Sequence, residues 1–113
     1  MIGLHLMVDG IIKGKVDEGE IARVLRELPA EIGMRILWGP LIVKGGPENP
    51  GWTGFVIIEK SHISIHTFEV GGLISIDIYS CRPFDDGAVL RYLESRLPLE
   101  RLSSRTVVRD IEG

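Results

Sequence analysis

EKSHISIHTFEVGGLISIDIYSC, residues 59–81, decides how the rest of the chain is read. Around Gly71-Gly72 it divides into two runs, 62–68 and 73–81, each alternating apolar and polar residues with the two-residue period of a strand. Ile63 and Ile65 take one face while His62, Ser64, His66 and Phe68 take the other. Ile74, Ile76 and Ile78 likewise oppose Ser75, Asp77, Tyr79 and Cys81. The paired glycines supply the positive φ values of a tight connection, so the two runs form a hairpin. One face of that hairpin is oily. The other, with its His, Ser, Asp, Tyr and Cys, has the composition of a site wall, and the stretch holds two of the three histidines and the sole cysteine.

Working upstream, residues 52–59 form another strand, reached through GGPENPG at 45–51, a loop tip of glycines and prolines. Residues 34–43 are apolar but broken at Gly39-Pro40, which predicts a bent strand or two short ones, with the break at an edge or bulge. A helix precedes them. Asp17 and Glu20 have the spacing of a capping box, Ile21, Val24, Leu25 and Leu28 form its apolar stripe, and Pro29 and Gly33 end it. Residues 2–9 alternate as a first strand with His5 and Asp9 on one face, and residues 11–15 are expected as a loop between Gly10 and Gly14.

Downstream, Pro83 and Asp85-Asp86 open a second helix that buries Val89, Leu90, Leu93 and Leu97 and stops at Pro98; residues 103–111 are the last strand. The order predicts an α+β fold: a two-layer α/β sandwich of two similar halves, with an antiparallel-rich sheet and two helices. With 113 residues, the chain (1–113) is expected to be a single domain.

Composition excludes several classes of function. With 44% hydrophobic residues, 26% charged residues and a net charge of −3, the chain matches neither a disordered segment nor a basic nucleic-acid binder. No apolar run approaches the roughly 18 residues of a membrane span, and the N-terminus lacks a signal-peptide pattern, so a cytoplasmic protein is expected. A lone cysteine forms no internal disulfide, leaving Cys81 as a buried filler, a free thiol or an intermolecular bridge; packing is the commonest reason for one.

His62 and His66 are four apart, but on a strand that spacing exceeds about 10 Å, too far for one metal ion, and no metal site is expected. Cys81 with His66, or Ser61 with His66, would make a nucleophile pair by residue type, although neither has a surrounding motif such as a nucleophile elbow.

SHISIHT at 61–67, followed by Cys81 twenty residues after Ser61, resembles the prokaryotic S-adenosylmethionine decarboxylases, which carry Ser-His-x-Ser/Thr-Ile-His-Thr with a cysteine at the same interval. Gly-x-His-Leu at 3–6, the hydroxyl-glycine pair Thr53-Gly54, the chain length and the two-half layout extend the likeness. Lys60 stands where the family usually has Glu, and Glu69-Val70 replaces the family's Pro-Glu.

The resemblance implies a proenzyme that cuts itself between Lys60 and Ser61. The Ser61 hydroxyl attacks the Lys60 carbonyl, Thr53 stabilises the oxyanion, and His66 removes the Cα proton so that β-elimination frees the upstream chain. Ser61 thereby becomes a covalent pyruvoyl cofactor, which forms a Schiff base with a small-molecule amine substrate and accepts the electrons left by carbon dioxide. Cys81 returns a proton, while Phe68 and Glu69 are the implied substrate contacts, Glu69 toward ribose hydroxyls. A homodimer with sites near the subunit contact and a place in polyamine biosynthesis are also implied. Since Ser61 and His66 are five apart, on opposite strand faces, Ser61 is expected in a strained turn ahead of the strand. Two other readings remain: the same chemistry on an arginine- or ornithine-like amino acid, and an unprocessed homologue acting as a ligand-binding or regulatory subunit.

Overall fold

The structure, a computed structural model, describes residues 2–112. Its elements follow in the order β1 (Gly3–Ile12), α1 (Glu18–Glu31), β2 (Ile36–Lys44), β3 (Trp52–Ile58), β4 (Ser61–Phe68), β5 (Leu73–Ser80), α2 (Asp86–Arg96) and β6 (Leu99–Arg109). The strands form one antiparallel sheet in the order β2-β3-β4-β5-β1-β6. Both helices contribute to one core with its inner face, giving the expected α+β sandwich. Among the described residues no helix is long and apolar enough to cross a membrane.

The alternation in the central hairpin sets this layering. Ile63 and Ile65 of β4 and Ile74, Ile76 and Ile78 of β5 are fully buried or nearly so, alongside Leu6 and Val8 of β1 and Val56 and Ile58 of β3. Against them pack Ile21, Val24, Leu25 and Leu28 of α1 and Val89 and Leu93 of α2. Burying a side chain of this size stabilises a fold by about 1.5–3 kcal/mol, so these stripes hold the layers together. Because β1 lies between β5 and β6, α1 has to carry the chain across the sheet to the far edge at β2.

Local signals explain most boundaries. The capping box forms, with the Glu20 amide donating to Asp17 Oδ1 at 2.9 Å and the Asp17 amide to Glu20 Oε1 at 3.3 Å. Asp85 caps α2 by accepting from the Ala88 amide at 3.1 Å. Gly71 and Gly72 have φ of 91° and 63° in the β4–β5 connection. The register of edge strand β2 against β3 shifts on both sides of Trp38, up to Leu41, so the break at Gly39-Pro40 produces one bent strand.

Several boundaries and one buried position differ from the sequence reading, among them β2, which starts at Ile36 rather than at 34, and β6, which ends at Arg109 rather than at 111. Pro29 does not end α1, which continues to Glu31: proline fits the last turn, where its ring is buried and its carbonyl accepts from the Ile32 and Met34 amides. Residues 11–15 are not all loop, since β1 runs to Ile12, whose amide donates to the Gly72 carbonyl at 2.7 Å. Gly10 sits inside that strand, where a Cβ would come within 3.2–3.3 Å of Ile74, Leu99 and the Arg101 carbonyl. The longer β1 gives β6 a partner from Leu99 onward, four residues before the expected start at 103. In α2, Tyr92 is buried and Leu90 only partly so, because the Tyr92 ring turns toward α1, where its hydroxyl donates to Glu27 at 2.8 Å.

Gly54 shows how tightly the layers meet. A Cβ there would lie 2.7 Å from both Ile21 Cγ2 and Leu25 Cδ1 of α1. Gly54→Ala is therefore expected to push α1 off β3 and lower stability by about 1–3 kcal/mol in urea unfolding, the usual cost of an overpacked core.

Candidate active site

The two-residue turn Glu59-Lys60 joins β3 to β4, with Ile58 and Ser61 paired across it. Such a short connection requires positive φ, and Lys60 provides it at 51°, the only non-glycine residue with positive φ among the described residues. The strain expected at Ser61 therefore lies one residue earlier. Ser61 is the first residue of β4, 6% exposed, on the inner face with Ile63 and Ile65. Its Oγ accepts from the Cys81 amide at 2.9 Å, and the Cys81 thiol reaches back to the Glu59 carbonyl at 3.5 Å. Cys81 is a free, partly exposed thiol packed beside the core.

Thr53 and His66 are direct partners across β3 and β4, and Thr53 Oγ1 shares a 3.0 Å hydrogen bond with His66 Nδ1. This pair faces away from the helices. His66 is five residues from Ser61 along β4, about 16 Å at roughly 3.3 Å per residue, and on the opposite face. Within one chain the structure thus forms two pairs, Ser61 with Cys81 and Thr53 with His66, and keeps them apart.

Between the pairs the outer face carries a ring and charge cluster. His5 Nε2 lies 3.0 Å from Asp77 Oδ1, His62 stacks on Phe55 with centroids 5.5 Å apart, and Tyr79 lies 5.8 Å from His62. Arg109 covers the Tyr79 ring at 5.1 Å. The ring fits because residue 3 is glycine: a Cβ on Gly3 would meet Tyr79 Cε1 at 2.6 Å. Asp9 joins this face by accepting from Ser75 Oγ at 2.7 Å. The alternation pattern puts His62, Asp77 and Tyr79 on one face, but it does not single out Phe55 and Arg109, because their membership depends on cross-strand register.

Burial, helped by the charges of His5 and Arg109, holds His62 below the usual imidazole range, with Asp77 pulling the other way. The unfolded chain therefore binds a proton at His62 near pH 6.5 while the folded chain still keeps the ring neutral. This contribution to stability falls as pH drops through that value and levels off below the folded pKa. The fall in Tm between about pH 7.5 and about pH 5.5 is expected to be smaller in His62→Gln than in the unaltered chain, and equal falls would contradict this.

At the far end of β4, Phe68 and Glu69 join Ile12, Lys15, Val16 and Asp17 in lining a cavity of about 300 Å³. Phe68 is seven residues from Ser61, about 23 Å along the strand.

Residues 5–110 match the family described as S-adenosylmethionine decarboxylase. The chain is 30% identical over 111 residues to an S-adenosylmethionine decarboxylase proenzyme from Clostridium botulinum strain Langeland, covering 95% of this chain and 93% of that protein. It is 30% identical over 113 residues to the proenzyme of that name from Aquifex aeolicus, covering 97% and 82% respectively. The crystal structure of the Aquifex aeolicus adenosylmethionine decarboxylase superposes with a TM-score of 0.74 at 26% identity, covering 99% of this chain and 96% of that one. Matched in sequence and in fold over nearly its whole length, this chain belongs to the S-adenosylmethionine decarboxylase family.

Proposed function

We propose that the chain is a self-processing decarboxylase of S-adenosylmethionine, a carboxy-lyase whose catalytic ketone is a pyruvoyl group made from Ser61 by cleavage of the Lys60–Ser61 bond. The observation that carries this is the Ser61 hydroxyl, buried at the mouth of a strained turn and held by the Cys81 amide, with the Cys81 thiol beside the same turn. These residues fit the group: Ser61 would supply its carbon atoms, and its neighbours fix where it would be made. A pyruvoyl group supplies the electron sink for decarboxylation. Cys81 holds the thiol proton that the product carbon takes up, and its buried flank limits access of water.

We further propose that the working unit is a homodimer with each site shared between two chains. Thr53 and His66 stand about 16 Å from Ser61 and on the other face, so the chain that carries Ser61 does not itself present them to it. A second copy, packed with its outer face against this one and its strands reversed, brings its Thr53–His66 pair to the end of β4 that carries Ser61, which removes the separation along the strand, and its Phe68 and Glu69 toward the far part of the substrate. Trp38, Leu41, Val43, Ile57 and Val107 lie on that face, each at least 39% exposed. Six strands of about eight residues present roughly 750 Å², close to the ~800 Å² per partner of a stable interface. In this arrangement the ring of Phe68 stacks on the adenine and the Glu69 carboxylate accepts from the ribose hydroxyls. A reducing compartment, the cytoplasm, suits the free thiol.

The test is release of labelled carbon dioxide from carboxyl-labelled S-adenosylmethionine, arginine and ornithine in parallel. Release from S-adenosylmethionine alone is the expected result. Release from arginine or ornithine instead would refute the substrate, and release from none would refute the activity.

A further inference from the structure

We infer that the left-handed backbone of Lys60 is the strain that drives the chain to cut itself, which makes Lys60 a positioning residue for cleavage; this rests on the self-processing proposed above. Wherever else the described chain takes positive φ, at residues 14, 33, 39, 51, 71 and 72, it uses glycine. Only at the residue that donates the attacked carbonyl does a residue with a side chain occupy that conformation. Glycine there would make the same turn without the clash between Cβ and the following carbonyl. Strain of this kind persists only where the surroundings over-determine it, and here they do. Ile58 and Ser61 are paired on either side, the Cys81 amide holds Ser61 Oγ, and the Cys81 thiol holds the Glu59 carbonyl.

The chemistry gives the strain an exit. When Ser61 Oγ attacks the Lys60 carbonyl carbon, a C–O bond forms, the Lys60–Ser61 C–N bond breaks, and the hydroxyl proton passes through a base to the freed Ser61 amine. The path from the Lys60 carbonyl carbon to Ser61 Cα lengthens from two bonds to three, through Oγ and Cβ. Lys60 is then free to leave the left-handed region. Loss of the Ser61 Cα proton next breaks the Cβ–Oγ bond, leaving Lys60 as a carboxylate and residue 61 as dehydroalanine. Its imine tautomer takes up water and releases ammonia to give the ketone. Only the first step is coupled to the turn, so the strain acts on that step.

The experiment follows full-length chains made by cell-free translation and chased at constant temperature, with cleavage rate constants read from intact mass. Lys60→Gly is expected to cleave about tenfold more slowly, the rate equivalent of a left-handed non-glycine residue relaxed before the transition state. Lys60→Ala keeps the Cβ and is expected to retain cleavage, while Lys60→Asn, which tolerates this conformation better, falls between. In a Ser61→Ala background, Lys60→Gly is expected to raise Tm, so that stability and cleavage rate move in opposite directions. A purely structural turn would raise Tm without slowing cleavage. If Lys60→Gly cleaves as fast as the unaltered chain, or Lys60→Ala is as slow as Lys60→Gly, the inference is overturned while self-processing stands. If the unaltered chain never cleaves, both are overturned.

Discussion

Ser61→Ala is expected to leave the chain as one piece and to abolish carbon dioxide release, because it removes the oxygen that attacks the Lys60 carbonyl and then leaves in the elimination from which the ketone arises. Cys81→Ala separates the two stages. The hydrogen bond that holds Ser61 Oγ comes from the Cys81 backbone amide, which alanine keeps, so cleavage is expected to proceed. Turnover of the cleaved product is expected to drop by about 10²–10⁴, the usual contribution of a positioned proton donor. The checks are a denaturing gel for cleavage and single-turnover kinetics for the chemical step. A Ser61→Ala chain that still released carbon dioxide would remove the pyruvoyl account altogether.

Co-expression of Ser61→Ala with His66→Ala tests whether the site is shared. Each variant alone is expected to be inactive. If the sites are shared as proposed, a mixed dimer pairs the intact Ser61 of one chain with the intact His66 of the other at one of its two sites. Random pairing therefore recovers about a quarter of the activity of the unaltered dimer. A site contained within one chain recovers nothing, since every chain in the mixture carries a defect. The separation of the Thr53–His66 and Ser61–Cys81 pairs along β4 and across its two faces is the reason to expect recovery.

Much of the fold is legible in the residues alone. The alternation in 62–68 and 73–80 marks both strands and the division of faces, because a strand half-buried against helices must alternate; Cys81, read as the outer-facing end of the second strand, instead lies one residue past β5 and packs against the core beside Ser61. Asp17-x-x-Glu20 marks the start of α1, because a free helix end selects residues that satisfy its amides. The spacing of Ser61, His66 and Cys81 carries the family likeness. Pairings set by distant strands are less visible. Gly10 reads as a loop residue, although it sits where β1 passes close to β5 and β6, a fact that belongs to three segments at once. Pro29 reads as a terminator because its missing amide counts against a helix interior, yet the last turn of α1 accommodates it and the core buries its ring. In the site, residue types are legible but their grouping is not. Parity shows that Ser61 and His66 face opposite ways. The structure adds that the strain lies at Lys60, that Cys81 contacts the turn through both amide and thiol, and that Arg109 reaches Tyr79.

In the proposed function, cleavage, cofactor and turnover all depend on the bond between Lys60 and Ser61, and the test is intact-mass analysis of the purified, unaltered chain. Two fragments are expected, residues 1–60 ending in a free carboxylate and residues 61–113 beginning with a pyruvoyl group, the second lighter than a serine-initiated fragment by the mass lost in converting an amino alcohol to a ketone. A single chain of 113 residues, unchanged after prolonged warming, would contradict the proposed function.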